Sequence, residues 1–518
     1  MRHGGIPRAL KLAALVALTV AAVLGPRPGP ASASGVIVTA IAAGRSHVCA
    51  VTDTGGLKCW GFNSTGQLGD GSGFIRPAPV DAVGLDSGVA AAAPGFFHTC
   101  TVTTGGGVKC WGWNIFGQLG VTGVECVPPN GVPFPCSNVP VDVEGLESGV
   151  AAVSAGNFHS CALSVAGGVQ CWGNNSVGQL GDGTTTSRFT PAEVPGLTSG
   201  VAAVIAGFDH TCALTTAGAV KCWGDNSAGV VLGAESNETC ISVFGDPHPC
   251  STTPLDVETL DSGVTALSAT GAFTCALTTA GGVKCWGGNS NGQLGDGTFG
   301  NNRRTPEDVI VAPGGLPLTG VAALAAGGLH TCALTTAGGV KCWGSNFQGT
   351  VGDGDTNPND RPTPVDVCRV YDAGVQECTE LFSGATAVAA GLVQSCALTA
   401  VGGVKCWGSN ATGVLGIGAS DGLPHPVPLD VVGLGPKPTP TLSPTPAEAT
   451  PSPPAPSATK PIADVLPAIL PQTGTAGTSG GGPAPWVAGA LAGAGAAATG
   501  FGALHLQRLG LIRRRRLR

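Results

Sequence analysis

Residues 151–184 read AAVSAGNFHSCALSVAGGVQCWGNNSVGQLGDGT, and residues 322–355 read AALAAGGLHTCALTTAGGVKCWGSNFQGTVGDGD. The same pattern occurs seven times between residues 35 and 434. Its Cys-Trp-Gly places a tryptophan at Trp60, Trp111, Trp172, Trp223, Trp286, Trp343 and Trp407, at pitches of 51, 61, 51, 63, 57 and 64 residues. Each unit has four strand-like pieces. A Val/Ala run such as Val201–Ala206 ends at a Gly, and His-Thr-Cys-Ala-Leu-Thr follows. After a Thr-Ala-Gly-Gly turn, Val-Lys-Cys-Trp-Gly returns, and beyond an Asn/Gly-rich loop a Pro-Val-Asp-Val piece closes the unit. Four short strands per unit at this pitch predict an all-β protein, a seven-bladed β-propeller of four-stranded blades over residues 34–434.

Composition agrees. The chain has 518 residues, with 85 Gly, 40 Pro and 20 Cys, only 11% charged and 5% aromatic residues, and a mean hydropathy of +0.27. So much Gly and Pro argues against a large helical protein, and the positive hydropathy against a charge-rich disordered polypeptide. The formal net charge of -7 is unevenly spread. Residues 34–434 carry 13 Lys+Arg against 30 Asp+Glu, a net -17, while both ends are basic. An acidic body excludes nucleic acid as the expected partner.

All 20 cysteines fall into pairs ten residues apart. Seven pairs lie inside the repeats: Cys49/Cys59, Cys100/Cys110, Cys161/Cys171, Cys212/Cys222, Cys275/Cys285, Cys332/Cys342 and Cys396/Cys406. A hairpin turning about Thr54 sets Cys49 opposite Cys59, within reach of a disulfide. Three more pairs, Cys126/Cys136, Cys240/Cys250 and Cys368/Cys378, sit in insertions of units two, four and six. The expectation is ten local disulfides, no free thiol and an oxidising compartment. Zinc spacing is absent.

The two ends read as addresses. Residues 1–33 fit a signal peptide, with Arg2, Arg8 and Lys11 before an apolar run Leu12–Leu24 and Ala31-Ser32-Ala33 as the cleavage site. Residues 435–469 are rich in Pro, Thr, Ser and Ala, the composition of an extended stalk. Residues 470–518 hold Leu470-Pro471-Gln472-Thr473-Gly474, an apolar stretch from Trp486 to about Leu506, and six arginines from Arg508 to Arg518. That order resembles the LPxTG cell-wall sorting signal of Gram-positive surface proteins. The resemblance implies that a sortase transpeptidase cuts after Thr473 and joins it to peptidoglycan, with the apolar stretch as a membrane helix engaged only before sorting. An ordinary membrane anchor is the alternative, and both place the body outside the cell.

The repeated Gly-x-x-His-Thr-Cys-Ala-Leu…Gly-x-Val-x-Cys-Trp-Gly-x-Asn-x-x-Gly-Gln-Leu-Gly resembles the regulator of chromosome condensation repeat. The resemblance implies a seven-bladed propeller. It also brings two functional analogies, guanine-nucleotide exchange on a small GTPase and, among secreted bacterial relatives, inhibition of β-lactamases. Gln-Leu-Gly departs from the pattern in copies four, six and seven, where Leu232-Gly233, Thr350-Val351-Gly352 and Val414-Leu415-Gly416 stand, which puts the conformation of those loops in question.

Several residues invite a functional reading. His47, His98, His159, His210 and His330 recur, but Phe273 and Gln394 replace them in two units, so a structural imidazole is expected rather than a metal ring. The segment Asp353–Asp360 begins like a calcium loop yet has Pro364 at its twelfth position. No metal or cofactor is assigned. No H-E-x-x-H or P-loop occurs, and no catalytic residue is assigned. Positions where the repeats differ say more. Loops of units one to four carry Phe62, Phe96, Phe97, Trp113, Phe116, Phe158 and Phe208, where units five to seven hold mainly small residues. Inserts two and four, with Phe134 and Phe244, belong on the same face, and insert six on the other. Two readings stand: a face that binds an extracellular protein or glycan, or rings that pack locally beneath their loops. A secreted enzyme and an inhibitor of one are the rival functions.

Overall fold

The computed structural model describes residues 35–436, apart from 128–132, 228–230, 243–244, 356 and 373. The signal peptide, nearly all of the stalk and the sorting signal lie outside the described residues, as does Phe244.

Seven antiparallel sheets follow one another along the sequence, five of them meanders of four consecutive strands and two, blades two and four, interrupted by an insert strand before the fourth. Blade three is typical: the strands Val150–Ala155, His159–Ser164, Val169–Gly173 and Arg188–Glu193 pair in sequence order. The second and third strands of every blade face each other in the expected register. Cys49 stands opposite Cys59, Cys100 opposite Cys110, Cys161 opposite Cys171 and Cys212 opposite Cys222. Cys275 faces Cys285, Cys332 faces Cys342 and Cys396 faces Cys406 in the remaining three blades.

All seven of these pairs are disulfide-bonded, with Cα atoms 4.1 Å apart. The three insert pairs are bonded too, at wider Cα separations: 5.3 Å for Cys126–Cys136, 5.8 Å for Cys240–Cys250 and 5.7 Å for Cys368–Cys378. The described residues include no free cysteine. The difference in spacing has a geometric cause. Within the blades the bonded residues are direct cross-strand neighbours, whereas Cys126 pairs in the ladder with Phe134, Cys240 with His248 and Cys378 with Tyr371, so those three bonds run diagonally.

Inserts two and four lengthen the fourth strand of their blades and add a fifth strand, Glu125–Cys126 and Glu238–Ile241. Insert six is a separate hairpin, Cys368–Asp372 with Glu377–Leu381, on the connection between blades six and seven.

The core is divided among seven clusters, one between each pair of neighbouring blades. Every Cys-Trp-Gly tryptophan is fully buried in one of them. Each indole reaches into the preceding blade, and in most a loop carbonyl accepts its N–H. Trp111 donates to Gln67 at 2.9 Å, Trp172 to Gln118 at 3.0 Å, Trp223 to Gln179 at 3.0 Å, Trp343 to Gln293 at 3.0 Å and Trp407 to Thr350 at 3.1 Å. The Gly that follows in Gln-Leu-Gly has positive φ, +71° at Gly181, and lies so close to the indole that a Cβ there would come within 2.6 Å of Trp223 Nε1. Only glycine meets both demands. The Asn of Trp-Gly-x-Asn holds this loop in place. Its Oδ1 accepts the backbone N–H at the Leu position in all seven blades, including the three altered copies, at 3.1 Å for Asn226 and 3.3 Å for Asn346 and Asn410. The substitutions in those copies therefore leave the loop anchored.

The same contacts close the ring. Blade seven is built wholly from the end of the array and blade one wholly from its start, with no strand exchanged. Trp60 donates to the Val414 carbonyl at 2.9 Å, Gln394 Nε2 to the Gly44 carbonyl at 3.0 Å, and Val36 bridges Leu434.

The recurrent histidines are structural, buried to 1% exposure or less. Each Nε2 meets a hydroxyl of the next blade: His47 with Thr99, His98 with Ser160, His159 with Thr211, His210 with Thr274 and His330 with Ser395, at 2.8–2.9 Å. Except at Thr274, that hydroxyl in turn donates to the carbonyl that receives the indole, as Thr99 does to Gln67 at 2.8 Å or, for Thr331, which has Phe273 before it, to Gln293 at 3.1 Å. A hydroxyl spending its proton this way accepts from imidazole, so Nε2 carries a hydrogen, and burial keeps the ring neutral. Burial lowers the pKa of four of these rings to about 3 and of His210 to about 4.

These interfaces make two measurable demands on stability. Trp286 Nε1 is buried without a partner among the described residues, whereas Trp172 is bonded. Trp172→Phe should therefore destabilise the oxidised protein by about 1 kcal/mol more than Trp286→Phe, measured by denaturant unfolding; equal costs would contradict the latch. The histidines set the acid limb. Their folded pKa values lie below the unfolded value, so their contribution is complete above about pH 6.5 and is lost as pH falls toward the folded values. Each should add about 1.4 kcal/mol per pH unit to the slope of stability between those limits. His98→Phe, which borrows the residue of blade five, should flatten that slope by about 1.4 kcal/mol per pH unit; an unchanged slope would mean the ring is not buried neutral.

Candidate functional site

In each meander the turn between strands one and two and the loop between strands three and four open on one face. The Gly of Gly-x-x-His marks where the first turns crowd together. A Cβ on Gly95 would come within 2.5 Å of the Gly156 carbonyl, and one on Gly156 equally close to Gly207. The next residue in each turn borders the mouth of the central channel: Arg45, Phe96, Asn157 and Phe208 in blades one to four.

There the predicted aromatic residues meet. Phe96 and Phe97 pack edge to face with ring centres 4.2 Å apart. Phe97 packs on Trp113 at 5.2 Å, Trp113 on Phe158 at 5.6 Å, and Phe158 on Phe116 at 5.4 Å. Phe208 joins through Phe96 at 6.3 Å and Phe62 through Phe97 at 6.5 Å. Seven residues from four blades thus form one continuous stack, and all seven are half-buried. Offset and edge-on contacts of this kind add to burial, so the rings support one another while each keeps an open edge. Local packing and exposure coexist in the stack. Ile115, 42% exposed, stands beside it in sequence.

The inserts wall this face. Insert two runs beside Trp113, which faces Cys136 in the ladder, and Asn114 N–H donates to the Pro135 carbonyl at 2.9 Å. Phe134 lies half-buried on that hairpin. Insert four does the same for Asp225, which faces Cys250, and brings His248 Nδ1 to 3.6 Å from Asp225 Oδ1.

That contact belongs to a polar cluster that the repeat pattern does not single out. Asp209 follows Phe208 in its turn, and its carbonyl accepts from Asp225 N–H at 2.9 Å. Desolvation and the charge of Asp225 push the Asp209 pKa up to about 7, against a hydrogen bond from Asn157 that lowers it. Desolvation also raises Asp225, opposed by Ser227 and His248. The departure of both positions from their counterparts in other blades is visible in the sequence, but their proximity requires the fold.

Other candidates are accounted for structurally. The recurrent lysines make cross-strand ion pairs, Lys58 with Asp81 at 2.6 Å and five similar pairs; such exposed pairs stabilise little. In the suspected calcium loop, Arg361 holds Asp353 at 2.7 Å and Asp355 at 3.1 Å. Asp360 accepts from Asn346 N–H and Asn291 Nδ2. A guanidinium thus neutralises the carboxylates a calcium ion would need. Asp70–Arg76, Asp182–Arg188 and Asp296–Arg303 repeat the arrangement.

Residues 23–314 match the family described as RCC1-like domain, and residues 321–350 match the regulator of chromosome condensation (RCC1) repeat. The chain belongs to the RCC1-like domain family. It is 28% identical to the ultraviolet-B receptor UVR8 of Arabidopsis thaliana over 389 residues, 74% of this sequence and 79% of that one. It is 30% identical to the secretion-regulating guanine nucleotide exchange factor of Bos taurus, over 64% of this sequence and 71% of that one. Among solved structures, Prp20p of Saccharomyces cerevisiae superposes with a TM-score of 0.56 at 22% identity, covering 76% of this protein and 87% of Prp20p. This last likeness speaks for the RCC1-like fold alone.

The Asp209 carboxyl gives the site a pH signature. Its folded pKa lies above the unfolded one, so the contribution of the neutral acid is complete below about pH 4 and is lost as pH rises through about 7. Between about pH 4 and 7 the stability of the native protein should fall relative to Asp209→Asn. Thermal unfolding midpoints of the two proteins that run parallel over this range would contradict the assignment.

Proposed function

We propose that this RCC1-like propeller is a secreted, wall-anchored binding module, and that the aromatic face of blades one to four captures an extracellular protein or glycan. One observation carries the reading. The rings occupy turn positions and, for Trp113, a strand end, all of which the repeats leave free to vary, yet they converge into a single half-exposed stack walled by two disulfide-closed hairpins. Large aromatic residues with open edges, held rigid by their neighbours, are the common anchors of binding surfaces. The disulfides suit an oxidising compartment, and the sorting signal resembled by residues 470–518 supplies the attachment through Thr473 to peptidoglycan on a Gram-positive-type cell surface. Relatives support a protein-contacting role by analogy. The bovine relative is a guanine nucleotide exchange factor, and Prp20p binds Gsp1p and histones. Exchange on a GTPase or binding to chromatin fits poorly with export and with a body of net charge -17.

The purified, oxidised protein should capture a ligand from host or neighbouring-cell surface extracts. The Trp113→Ala/Phe97→Ala double variant should lose at least about thirtyfold in affinity, as hot-spot anchors do, with the propeller still folded by near-ultraviolet circular dichroism. Equal capture by the two folded proteins would defeat the proposal.

A further inference from the structure

The described residues contain thirteen Lys and Arg side chains, and twelve of them lie within ion-pair distance of a carboxylate. The thirteenth, Arg45, has no such partner among the described residues. In a domain with 30 acidic residues this is the improbable outcome for a cation. Its place in the fold explains it. Arg45 occupies the turn position that borders the channel mouth, and its guanidinium carbon lies 3.6 Å from the centre of the Phe96 ring. The aromatic face holds the cation but leaves its side-chain donors without a hydrogen-bond partner among the described residues.

The channel mouth is a cavity of about 260 Å³ in which Arg45 is the only charged lining side chain. Most of its other polar groups are spent on the fold. Ser154 and Ser268 accept backbone N–H groups of Ala206 and Ala326, and Thr270 donates to the Ala326 carbonyl. One is not. Asn157, 9% exposed, hydrogen-bonds to Asp209, while its Oδ1 is buried without a partner. A buried unmet acceptor is costly, and here the residue that carries it lines the same cavity as an unpaired guanidinium. The two call for a ligand with an anionic oxygen for Arg45 and an N–H or O–H for Asn157, flanked by apolar contact with Phe96 and Phe208.

We propose that the channel mouth is a receptor for a single carboxylate presented by a partner protein, either an Asp or Glu side chain or a free carboxy terminus. The planar fork of arginine suits a carboxylate, and a peptide supplies the nearby N–H. The volume lies below the roughly 300–1,000 Å³ of drug-sized sites, and suits one residue. Charge decides between macromolecules. A polyanionic glycan would be repelled along its length by a body of net charge -17, whereas a neutral or basic protein can insert one acid at the single unpaired cation. The inference rests on the binding-module reading and specifies its partner.

The test titrates the oxidised protein with small probes and reads the Asn157 side-chain amide by NMR, with Arg45 Nε–H as a second reporter. N-acetylglutamate α-amide presents a γ-carboxylate, N-acetylglycine a terminal one, N-acetylglutamine amide the neutral isostere, and glucuronate a sugar acid. One or both peptide carboxylates should give saturable shifts and the neutral isostere none. Arg45→Gln should weaken binding at least tenfold, and Arg45→Lys, which keeps the charge without the fork, should weaken it less. No saturable shift, an equal response to the neutral isostere, or binding that survives in Arg45→Gln would overturn the site. Tighter binding of glucuronate than of both peptide probes would overturn the choice of a protein partner. Because these readouts are local, their failure leaves the capture experiment interpretable, and the reverse holds too.

Discussion

The carbonyl at the Gln position of Gln-Leu-Gly is the point on which the ring depends. It accepts an indole N–H and a hydroxyl from the next blade at once, at Gln67, Gln118, Gln179, Gln293 and Thr350. Blades made of Val, Ala and Gly have little large apolar surface to offer, so each interface relies on one Trp inserted into its neighbour. An indole buried this deeply must place its N–H, and the loop carbonyl provides for it. Three further requirements follow from that one contact. The loop needs an Asn to hold it, a positive-φ Gly to admit the indole, and a hydroxyl on the facing strand to fill the second lone pair. The histidine bonded to that hydroxyl is then fixed as a neutral donor. Five residue types of the repeat are in this sense consequences of a single hydrogen-bonding centre.

Much of this was legible in the sequence because the repeat is its own control. Ten-residue Cys spacing around a Gly turn defines a hairpin register, and a Trp present in all seven copies cannot be specific to one site. The same spacing in the inserts hid a difference, since Cys126–Cys136, Cys240–Cys250 and Cys368–Cys378 close their hairpins diagonally rather than directly across the ladder. The loss of His at Phe273 and Gln394 pointed away from a metal ring for a reason the structure makes concrete: blade one offers Val48, not a hydroxyl, to Gln394, which bonds the Gly44 carbonyl instead. Contacts between blades were beyond reach. The His–hydroxyl pairs join residues 52 to 65 positions apart, and the partner is set by propeller geometry. The same holds for Asp225 and His248, brought together only because insert four lengthens a strand beside Asp225. Arg45 was hidden for a different reason. Sequence shows a charge but not whether a carboxylate stands next to it.

The division of labour between strands and loops explains why one face carries the chemistry. Strand positions are committed to the disulfide, the indole and the cross-strand Lys–Asp pair, so variation among blades collects in the turns. On such a scaffold a binding surface can be assembled from many blades without disturbing any interface. Seven rings from four blades show the result, since rings carried by different blades pack on one another.

Electrostatics sharpens the same face. Pairing twelve of thirteen cations with carboxylates leaves a surplus of acid over the domain, which discourages polyanions. That field also makes the remaining cation distinctive, because an anion meets favourable charge only where Arg45 stands. The low polarity around it, with Phe96 on one side and Ala and Gly backbone on the others, strengthens whatever interaction forms there. An unpaired guanidinium in such a place is costly to the free protein, since burial alone lowers its pKa to about 10. That cost is recovered only if a carboxylate arrives, so the unpaired cation itself discriminates in favour of a ligand that brings one.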